Sequence, residues 1–176
     1  FLYNPFSYNL IQIPANAIKV LRGIYFANST NGWEVGDGGL IIKTTNFGTS
    51  WTQQTSGSAN QLNKVMFIDA NNGIIVGNNG TILKTINGGT NWTSVTSGVT
   101  ENLNATYYSD TLNIWVCGDN GILLKSPDGG LTWAIEIYGT TENLKAIHGF
   151  GITDIWACGN NGKIIYRSET SYVFEN

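Results

Sequence analysis

Four segments of this 176-residue chain repeat one another at a constant spacing of 41 residues, with no insertion between them. The register is marked by a leucine column: Leu21, Leu62, Leu103 and Leu144. Two glycine columns keep the same spacing: Gly36, Gly77, Gly118 and Gly159, then Gly39, Gly80, Gly121 and Gly162. A period near 40 residues with four short apolar runs per unit is typical of a β-propeller blade. The repeat therefore predicts an all-β fold, a β-propeller of four 41-residue, four-stranded blades.

One unit, residues 62–98, shows how a blade is built from this sequence. Four strand-like runs, LNKVMFID, GIIVG, TILKTI and TSVTS, are separated by turn-forming residues. The second run is reversed by Asn78, Asn79 and Gly80, residue types that tolerate the positive φ of tight hairpins. We expect a single domain over residues 1–176, with repeats 21–61, 62–102, 103–143 and 144–176 and a closing strand and lead-in over residues 1–20.

The two ends of the chain bear on how the propeller closes. Leu10–Ile13 falls where a fourth strand belongs, while the last repeat has three clear strands and little or no fourth. We expect the N-terminal strand to complete the last blade and so remove an open sheet edge. Two alternatives stay open: the chain belongs to a larger propeller, or this strand completes a blade of a neighbouring copy and forms an oligomer or filament.

The tryptophans occupy two repeat columns, which identifies them as blade-packing residues. Trp33, Trp115 and Trp156 stand on the second strand, and Trp51, Trp92 and Trp133 follow the third. The last column closes a recognisable turn, Ser-Pro-Asp-Gly-Gly-Leu-Thr-Trp at residues 126–133, with looser copies at 44–51 and 85–92. This turn resembles the Asp-box of bacterial neuraminidase repeats. In it, a short side chain caps the reversed backbone and glycine takes the positive-φ position.

With GWEVG at residues 32–36 and NNGTILKT at residues 78–85, the Asp-box (BNR-like) repeats resemble the photosystem II stability/assembly factor family and its bacterial relatives. The resemblance covers roughly residues 21–167. It implies a β-propeller that binds proteins during assembly, and it implies no enzymatic activity. In that family the partner-binding surface is rich in arginine, whereas this chain has only Arg22 and Arg167.

Catalytic and metal chemistry find little support in the sequence. Sialidases, which share the Asp-box, hold their substrate with three arginines, and this chain has two. Nearly all the acids are turn formers or solvated loop residues, which is a poor match to the facing carboxylates of other glycosidases. His148 is the single histidine, and Cys117 and Cys158 share a packing column with two valines. We expect no metal, no cofactor and no disulfide, and the question of an enzyme stays open with the balance against one.

Partner classes are narrowed by charge and hydropathy. The net charge of −3 gives no electrostatic reason to expect nucleic acid. No apolar run approaches the roughly 20 residues that span a bilayer. We expect a protein partner, with a glycan as an alternative and self-association through the N-terminal strand as another.

A binding face follows from the up-and-down order of the strands. Turns after the second and fourth strands emerge on one face of the propeller, around the mouth of its central channel. Candidate residues on the turns of that face are Asp37, Asp119, Glu101 and Glu142. Candidates at the channel mouth, where the innermost strands begin, are Arg22, Asn63, Asn104 and Lys145, with Lys64 nearby. Such a mixture of cations and amides fits an acidic peptide or a glycan.

The sequence thus favours a non-catalytic, extracytoplasmic propeller that acts as a protein-interaction or assembly module. The alternatives are a carbohydrate-binding or glycoside-hydrolase-like propeller and a structural subunit that self-assembles through its N-terminal strand. The extracytoplasmic location is expected from the family resemblance, from an asparagine- and threonine-rich, lysine-poor surface, and from a first residue, Phe1, that is not methionine.

Overall fold

A computed structural model describes residues 19–168, which form four antiparallel sheets with hairpin connections, one sheet per repeat. Blade 1 contains β1 (Leu21–Phe26), β2 (Gly32–Gly36), β3 (Ile41–Thr44) and β4 (Thr52–Gln54). Blade 2 contains β5 (Leu62–Phe67), β6 (Gly73–Gly77), β7 (Ile82–Thr85) and β8 (Thr93–Val95). Blade 3 contains β9 (Leu103–Tyr108), β10 (Ile114–Gly118), β11 (Leu123–Ser126) and β12 (Ala134–Glu136). Blade 4 contains β13 (Leu144–Phe150), β14 (Asp154–Gly159) and β15 (Ile164–Arg167).

The strands of each sheet follow one another in chain order, so the all-β propeller architecture expected from the repeat is confirmed. Blade 4 has three strands within residues 19–168. Leu10–Ile13, the segment expected to complete this blade, lies outside the described residues. The closing strand therefore stays a prediction.

The hairpins between second and third strands depend on residues with positive φ. Asn79, Asn120 and Asn161 have φ of 54°, 56° and 53°, and Gly38 has 61° at the same place in blade 1. Asparagine and glycine are the residue types that adopt this left-handed conformation at least cost. The turn that the sequence indicated at residues 78–80 is therefore present in all four blades.

The Asp-box turns are held by their own side chains. In blade 3, the carboxylate of Asp128 accepts hydrogen bonds from the backbone N–H groups of Leu131 and Thr132 and from the Thr132 hydroxyl. The Ser126 hydroxyl oxygen accepts one from the N–H of Gly130, at 2.7 Å. Hydrogen bonds, first among them that of the Thr132 hydroxyl, lower the pKa of Asp128 to about 2. The motif is thus a structural turn, as its sequence indicated.

Lysines at one repeat position tie blades 1 and 2 to the Asp-box turn of the following blade. The ammonium of Lys43 donates to the carbonyl oxygen of Gly88, at 2.9 Å, and the ammonium of Lys84 donates to that of Gly129. Lys43 also lies over the ring of Trp33, 5.1 Å from its centre. Burial lowers the pKa of both lysines. These contacts link neighbouring sheets.

The hydrophobic core lies between blades. The innermost strands stand side by side, β1 against β5, β5 against β9 and β9 against β13. At the first boundary, Trp33 stacks on Phe67 with 3.7 Å between ring centres. The apolar residues of that boundary come from both blades: Trp33, Val35, Ile41, Leu62, Val65, Phe67, Ile75 and Leu83. Because each face is buried by a neighbour, the second strands of blades 2 and 3 are apolar without alternation.

The outer faces of the first and last blades differ from the internal ones. No extensive contact joins β1 to β13 within residues 19–168. Leu21 and Ile24 of blade 1 are 41% and 53% exposed, and Trp156 and Ile164 of blade 4 are 43% and 70% exposed. The interpretation of every tryptophan as a packing residue therefore fails at Trp156. Among the described residues, no blade follows blade 4 to cover its ring.

Candidate binding face

The candidate binding face consists of the turns after the second and fourth strands together with the starts of the innermost strands. Side-chain hydrogen bonds show that the two kinds of turn meet there. The amide of Asn79 donates to the Asn60 side-chain oxygen, at 3.2 Å, and the amide of Asn161 donates to the Glu142 carboxylate, at 2.9 Å. The same contact thus recurs in two blades between residues of equivalent position.

At the channel mouth, the first polar residue of the innermost strand reaches the turn after the second strand of its own blade. Arg22 Nε lies 2.7 Å from Asp37 Oδ1. The amide of Asn63 donates to the Asn78 side-chain oxygen at 2.9 Å, which repeats the contact in blade 2. The β-bulge that interrupts the register just after Leu21 and Leu62 lies where this side chain leaves the strand.

The two asparagines at the mouth also join neighbouring blades. The amide of Asn63 makes a second hydrogen bond to the carbonyl oxygen of Leu103, at 2.8 Å, and that of Asn104 makes one to Leu144, at 2.7 Å. Both amide hydrogens of each residue are therefore used within the protein. Asn63 and Asn104 are structural links between innermost strands and have no side-chain N–H left for a ligand.

Asp119 is the centre of a polar cluster on this face. Its Oδ1 accepts hydrogen bonds from Asn104, at 2.8 Å, and from the ammonium of Lys145, at 2.7 Å, while Oδ2 accepts one from Asn102 at 3.1 Å. Burial raises the pKa of Asp119, but the hydrogen bonds from Lys145, Asn104 and Asn102 together outweigh it and the pKa is lowered. The carboxylate is therefore ionised at neutral pH.

The remaining candidates lie around this cluster without joining it. Lys64 is half-buried on β5, and Glu101 accepts a hydrogen bond from the backbone N–H of Thr100 through its carboxylate. Among residues 19–168, no hydrogen bond links the Arg22–Asp37 pair to Asp119 or Lys145. The side chains of Arg22 and Lys145 are 37% and 47% exposed, so these two cations reach solvent at either end of the face.

A polar cleft lies at the rim of the same face, and it recurs in the next blade. The larger copy encloses about 430 Å³ and is lined by residues that include Asn60, Asn79, Thr81, Ser94 and Ser97. The copy 41 residues further along encloses about 240 Å³, and Ile135 and Tyr138 replace the two serines there. The blade 2 cleft thus offers neutral hydrogen-bonding groups, whereas the blade 3 cleft is more apolar.

Glu34 is a residue that sequence reasoning missed. It stands on β2 in the column of Ile75 and Val116, which are fully buried. One of its carboxylate oxygens is buried without a hydrogen-bond partner, and burial raises its pKa above the usual 4.5. A carboxylate in an otherwise apolar repeat column was the signal that could have revealed it.

The single histidine and the two cysteines differ in their surroundings. His148 is exposed, with its ring centre 4.9 Å from that of Tyr107. Cys117 is buried, which raises the pKa of its thiol to about 12, and Cys158 is exposed; both are free thiols. Residues 19–168 contain no group of three or more His, Cys, Asp or Glu side chains that could hold a metal ion. The part of the chain that the structure describes has no helix suited to crossing a membrane.

The sequence matches the family described as "Photosynthesis system II assembly factor YCF48" over residues 4–98 and again over residues 51–134, together more than half of the chain. The chain belongs to this family. The resemblance inferred from the Asp-box turns and from the runs at residues 32–36 and 78–85 is therefore confirmed. No curated protein matches the chain.

Two solved structures agree on the fold. YCF48 from Cyanidioschyzon merolae matches with a TM-score of 0.71 at 18% identity, over 84% of this chain and 50% of that one. An ancestral GH74 enzyme matches with a TM-score of 0.67 at 18% identity, over 83% of this chain and 23% of that one. YCF48 bound to D1 peptide matches with a TM-score of 0.43 at 16% identity, over 90% and 82%. The present chain thus spans half the length of the Cyanidioschyzon merolae protein that it matches.

Proposed function

We propose that this propeller is a non-catalytic module that binds a polypeptide partner on its candidate binding face during the assembly of a protein complex. The observation that carries the proposal is membership of an assembly-factor family. The candidate binding face has groups that could bind a peptide, because Arg22 and Lys145 present partly exposed cations beside the carboxylates of Asp37 and Asp119. A peptide that carries both charges and free backbone amides would find partners for each.

The exposed cations, rather than the asparagines, would make the contact. The side-chain amides of Asn63 and Asn104 donate both of their hydrogens to other groups of the protein. Replacement of either residue would therefore disturb blade packing and binding together. Arg22 and Lys145 have guanidinium and ammonium hydrogens left for a ligand after their single ion pairs. They are therefore the residues to change in a test of binding.

The test compares two double variants of equal net charge. Arg22→Gln with Lys145→Gln removes both cations from the face, while Thr49→Glu with Thr90→Glu adds two negative charges on exposed Asp-box turns of the opposite face. Affinity capture from the producing cell, with quantitative mass spectrometry, should show at least a tenfold loss of the partner for the first variant and none for the second. Equal recovery by both variants would refute this face as the binding site.

A glycan is a second candidate ligand, favoured by the polar cleft of blade 2. Asparagine amides and serine and threonine hydroxyls around Asn79 and Ser94 match the hydroxyl groups of a sugar. A glycan array tests this alternative directly. Binding that Asn79→Ala abolishes would support it, and an array without any bound glycan would leave the polypeptide.

We further propose that the protein acts outside the cytoplasm, supported by its lysine-poor surface and its many asparagine and threonine residues. Fractionation of the producing cell with an antibody against the propeller would test the location. Recovery with the cytoplasmic enzymes would contradict it, without bearing on the identity of the binding face.

A further inference from the structure

Within residues 19–168, two sheet faces lack the neighbour that covers every equivalent internal face. The first is the outer face of blade 1, which we call the front face and define by Leu21, Ile24 and Phe26. The second is the outer face of blade 4, which we call the back face and define by Trp156, Cys158 and Ile164. All six are exposed, whereas their counterparts at the first internal boundary, in blades 1 and 2, are buried.

The internal boundaries show what each face binds. At the boundary of blades 1 and 2, Trp33, Val35 and Ile41 are the counterparts of the back-face residues. They pack against Leu62, Val65 and Phe67, which are the counterparts of the front-face residues. A back face is therefore covered by a front face, and the described part of the chain presents one uncovered example of each.

The two free faces keep the side chains that make the internal contact. Trp156 repeats Trp33, and Phe26 repeats Phe67, the pair that stacks with 3.7 Å between ring centres. Phe26 already meets Trp51 edge to face, as Phe67 meets Trp92. Trp156 stacks on Tyr166 at 4.6 Å, where blades 1 and 3 place a lysine over the indole. The back face thus exposes a stacked aromatic pair, and aromatic residues of this kind dominate binding energy at interfaces.

We propose that the back face of one copy of this chain packs against the front face of a second copy, as blade 1 packs against blade 2 within the chain. The contact is head-to-tail, so two copies joined at both ends would close a ring of eight blades. Known propellers contain about four to eight blades.

The contact between copies is weaker than the contacts within the chain. Glu34 on the front-face side of β2 stands where the internal boundaries have Ile75 and Val116, so closing the contact removes more water from its carboxylate. Cys158 replaces the valines of blades 1 and 2 and Ile164 repeats Ile41, so the rest of the back face keeps its apolar character. We expect a dimer that dissociates on dilution.

Sedimentation velocity over a range of concentrations tests the contact. Trp156→Asp on the back face and Ile24→Asp on the front face should each weaken association at least about thirtyfold. Ile137→Asp is the matched control, because Ile137 is 89% exposed and lies on neither face. Circular dichroism and thermal unfolding of each variant establish that the fold is retained.

Mixing the two variants gives the decisive result. Copies with Trp156→Asp keep an intact front face and copies with Ile24→Asp keep an intact back face, so an equimolar mixture should recover a heterodimer with one native contact. A symmetric contact between two back faces would not be weakened by Ile24→Asp and would not be restored by mixing. Three outcomes would overturn the proposal: a native chain that is monomeric at every concentration, a mixture without rescue, and a monomer that Trp156→Asp destabilises because its own chain covers the face.

Discussion

Trp115 and Trp156 occupy the same column on the second strands of neighbouring blades, yet Trp115 is fully buried and Trp156 is 43% exposed. Leu123 and Ile164, one strand further out, differ in the same way. In each pair the two residues have the same register between the second and third strands, although Tyr166 replaces Lys125 and blade 4 has no fourth strand within residues 19–168. The comparison teaches that burial in this fold comes from the following blade, and that a repeat position acquires its energetic role only when that blade is present.

The largest expected effect is the difference in stability between alanine variants of these two tryptophans. Trp115→Ala should lower the free energy of unfolding by about 3–5 kcal/mol, because it leaves a cavity between blades 3 and 4. Trp156→Ala should lower it by about 1 kcal/mol, since the indole packs mainly on Tyr166. Urea unfolding of dilute, monomeric protein measures both values. Equal losses would contradict the assignment of burial to the following blade.

Gly121 and Gly162 occupy the same turn position in blades 3 and 4, so they allow the two blades to be compared at the backbone. Gly121 and Gly162 both have positive φ, 71° and 68°, so alanine costs about 1 kcal/mol at either position. A Cβ at Gly121 would stand 2.0 Å from the carbonyl oxygen of Thr140, whereas one at Gly162 would meet nothing within 4 Å. Gly121→Ala should therefore cost about 3 kcal/mol or more and Gly162→Ala about 1 kcal/mol, measured by thermal unfolding. A large loss at Gly162 would show that this turn is covered after all.

Glu34 in blade 1 allows the effect of a substitution on the free energy of unfolding to be measured at the other end of the chain. Glu34→Ile should raise the free energy of unfolding by about 1 kcal/mol at pH 7, because it removes a buried carboxylate oxygen without a partner. The raised pKa fixes the sign of the pH dependence. The stability of the protonated form is fully present below about pH 4.5 and is lost as the pH rises through the folded-state pKa.

The difference in free energy of unfolding between Glu34→Ile and the native chain should therefore be larger at pH 7 than at pH 4. Urea unfolding at both pH values measures this difference. Glu34→Gln is the matched control, since it keeps the shape and removes the titration. A gap that does not change with pH would mean that the carboxylate is solvated in the fold.

The smallest expected effect lies in the Asp-box turns, where aspartate stands in blade 3 and asparagine in blades 1 and 2. Asp128→Asn keeps the acceptor oxygen, so at pH 7 it should cost under about 0.5 kcal/mol. Because the pKa of Asp128 is lowered to about 2 from 3.8, its contribution is present above pH 3.8 and is lost as the pH falls through 2. Thermal unfolding between pH 5 and pH 2 should show the variant and the native chain converging. Parallel curves would mean that the charge of Asp128 has no role in the turn.

The fold could be predicted from the sequence because the residues that define a blade repeat at a constant spacing. The leucine column, the paired glycines and residues 126–133 each indicate one joint of a blade, and a spacing without insertions leaves little freedom in their order. The environments of individual side chains were less accessible. The Trp column looks uniform in sequence, and only the structure shows that Trp156 lacks the neighbour that Trp33 and Trp115 have.

On the candidate binding face, the positions of the residues could be predicted, but their hydrogen-bond partners could not. Strand order placed Arg22, Asn63, Asn104 and Lys145 around one opening, but it did not reveal that the two asparagines bridge successive blades. Those bridges end on the backbone carbonyls of Leu103 and Leu144, which no side-chain pattern encodes. Lys145 bonds to Asp119 of the preceding blade, since Asn160 occupies the equivalent turn position in its own blade. Such crossed contacts depend on three-dimensional spacing between blades.

Hydrogen exchange of the backbone amides, recorded on dilute monomer, tests most directly whether neighbouring blades are the source of stability. The account predicts the slowest exchange in β6 and β10, which lie between two blades, and exchange at least tenfold faster in β14, whose sheet has one face uncovered. Equal protection of β10 and β14 would contradict it, because each blade would then be stable without the neighbour that buries it.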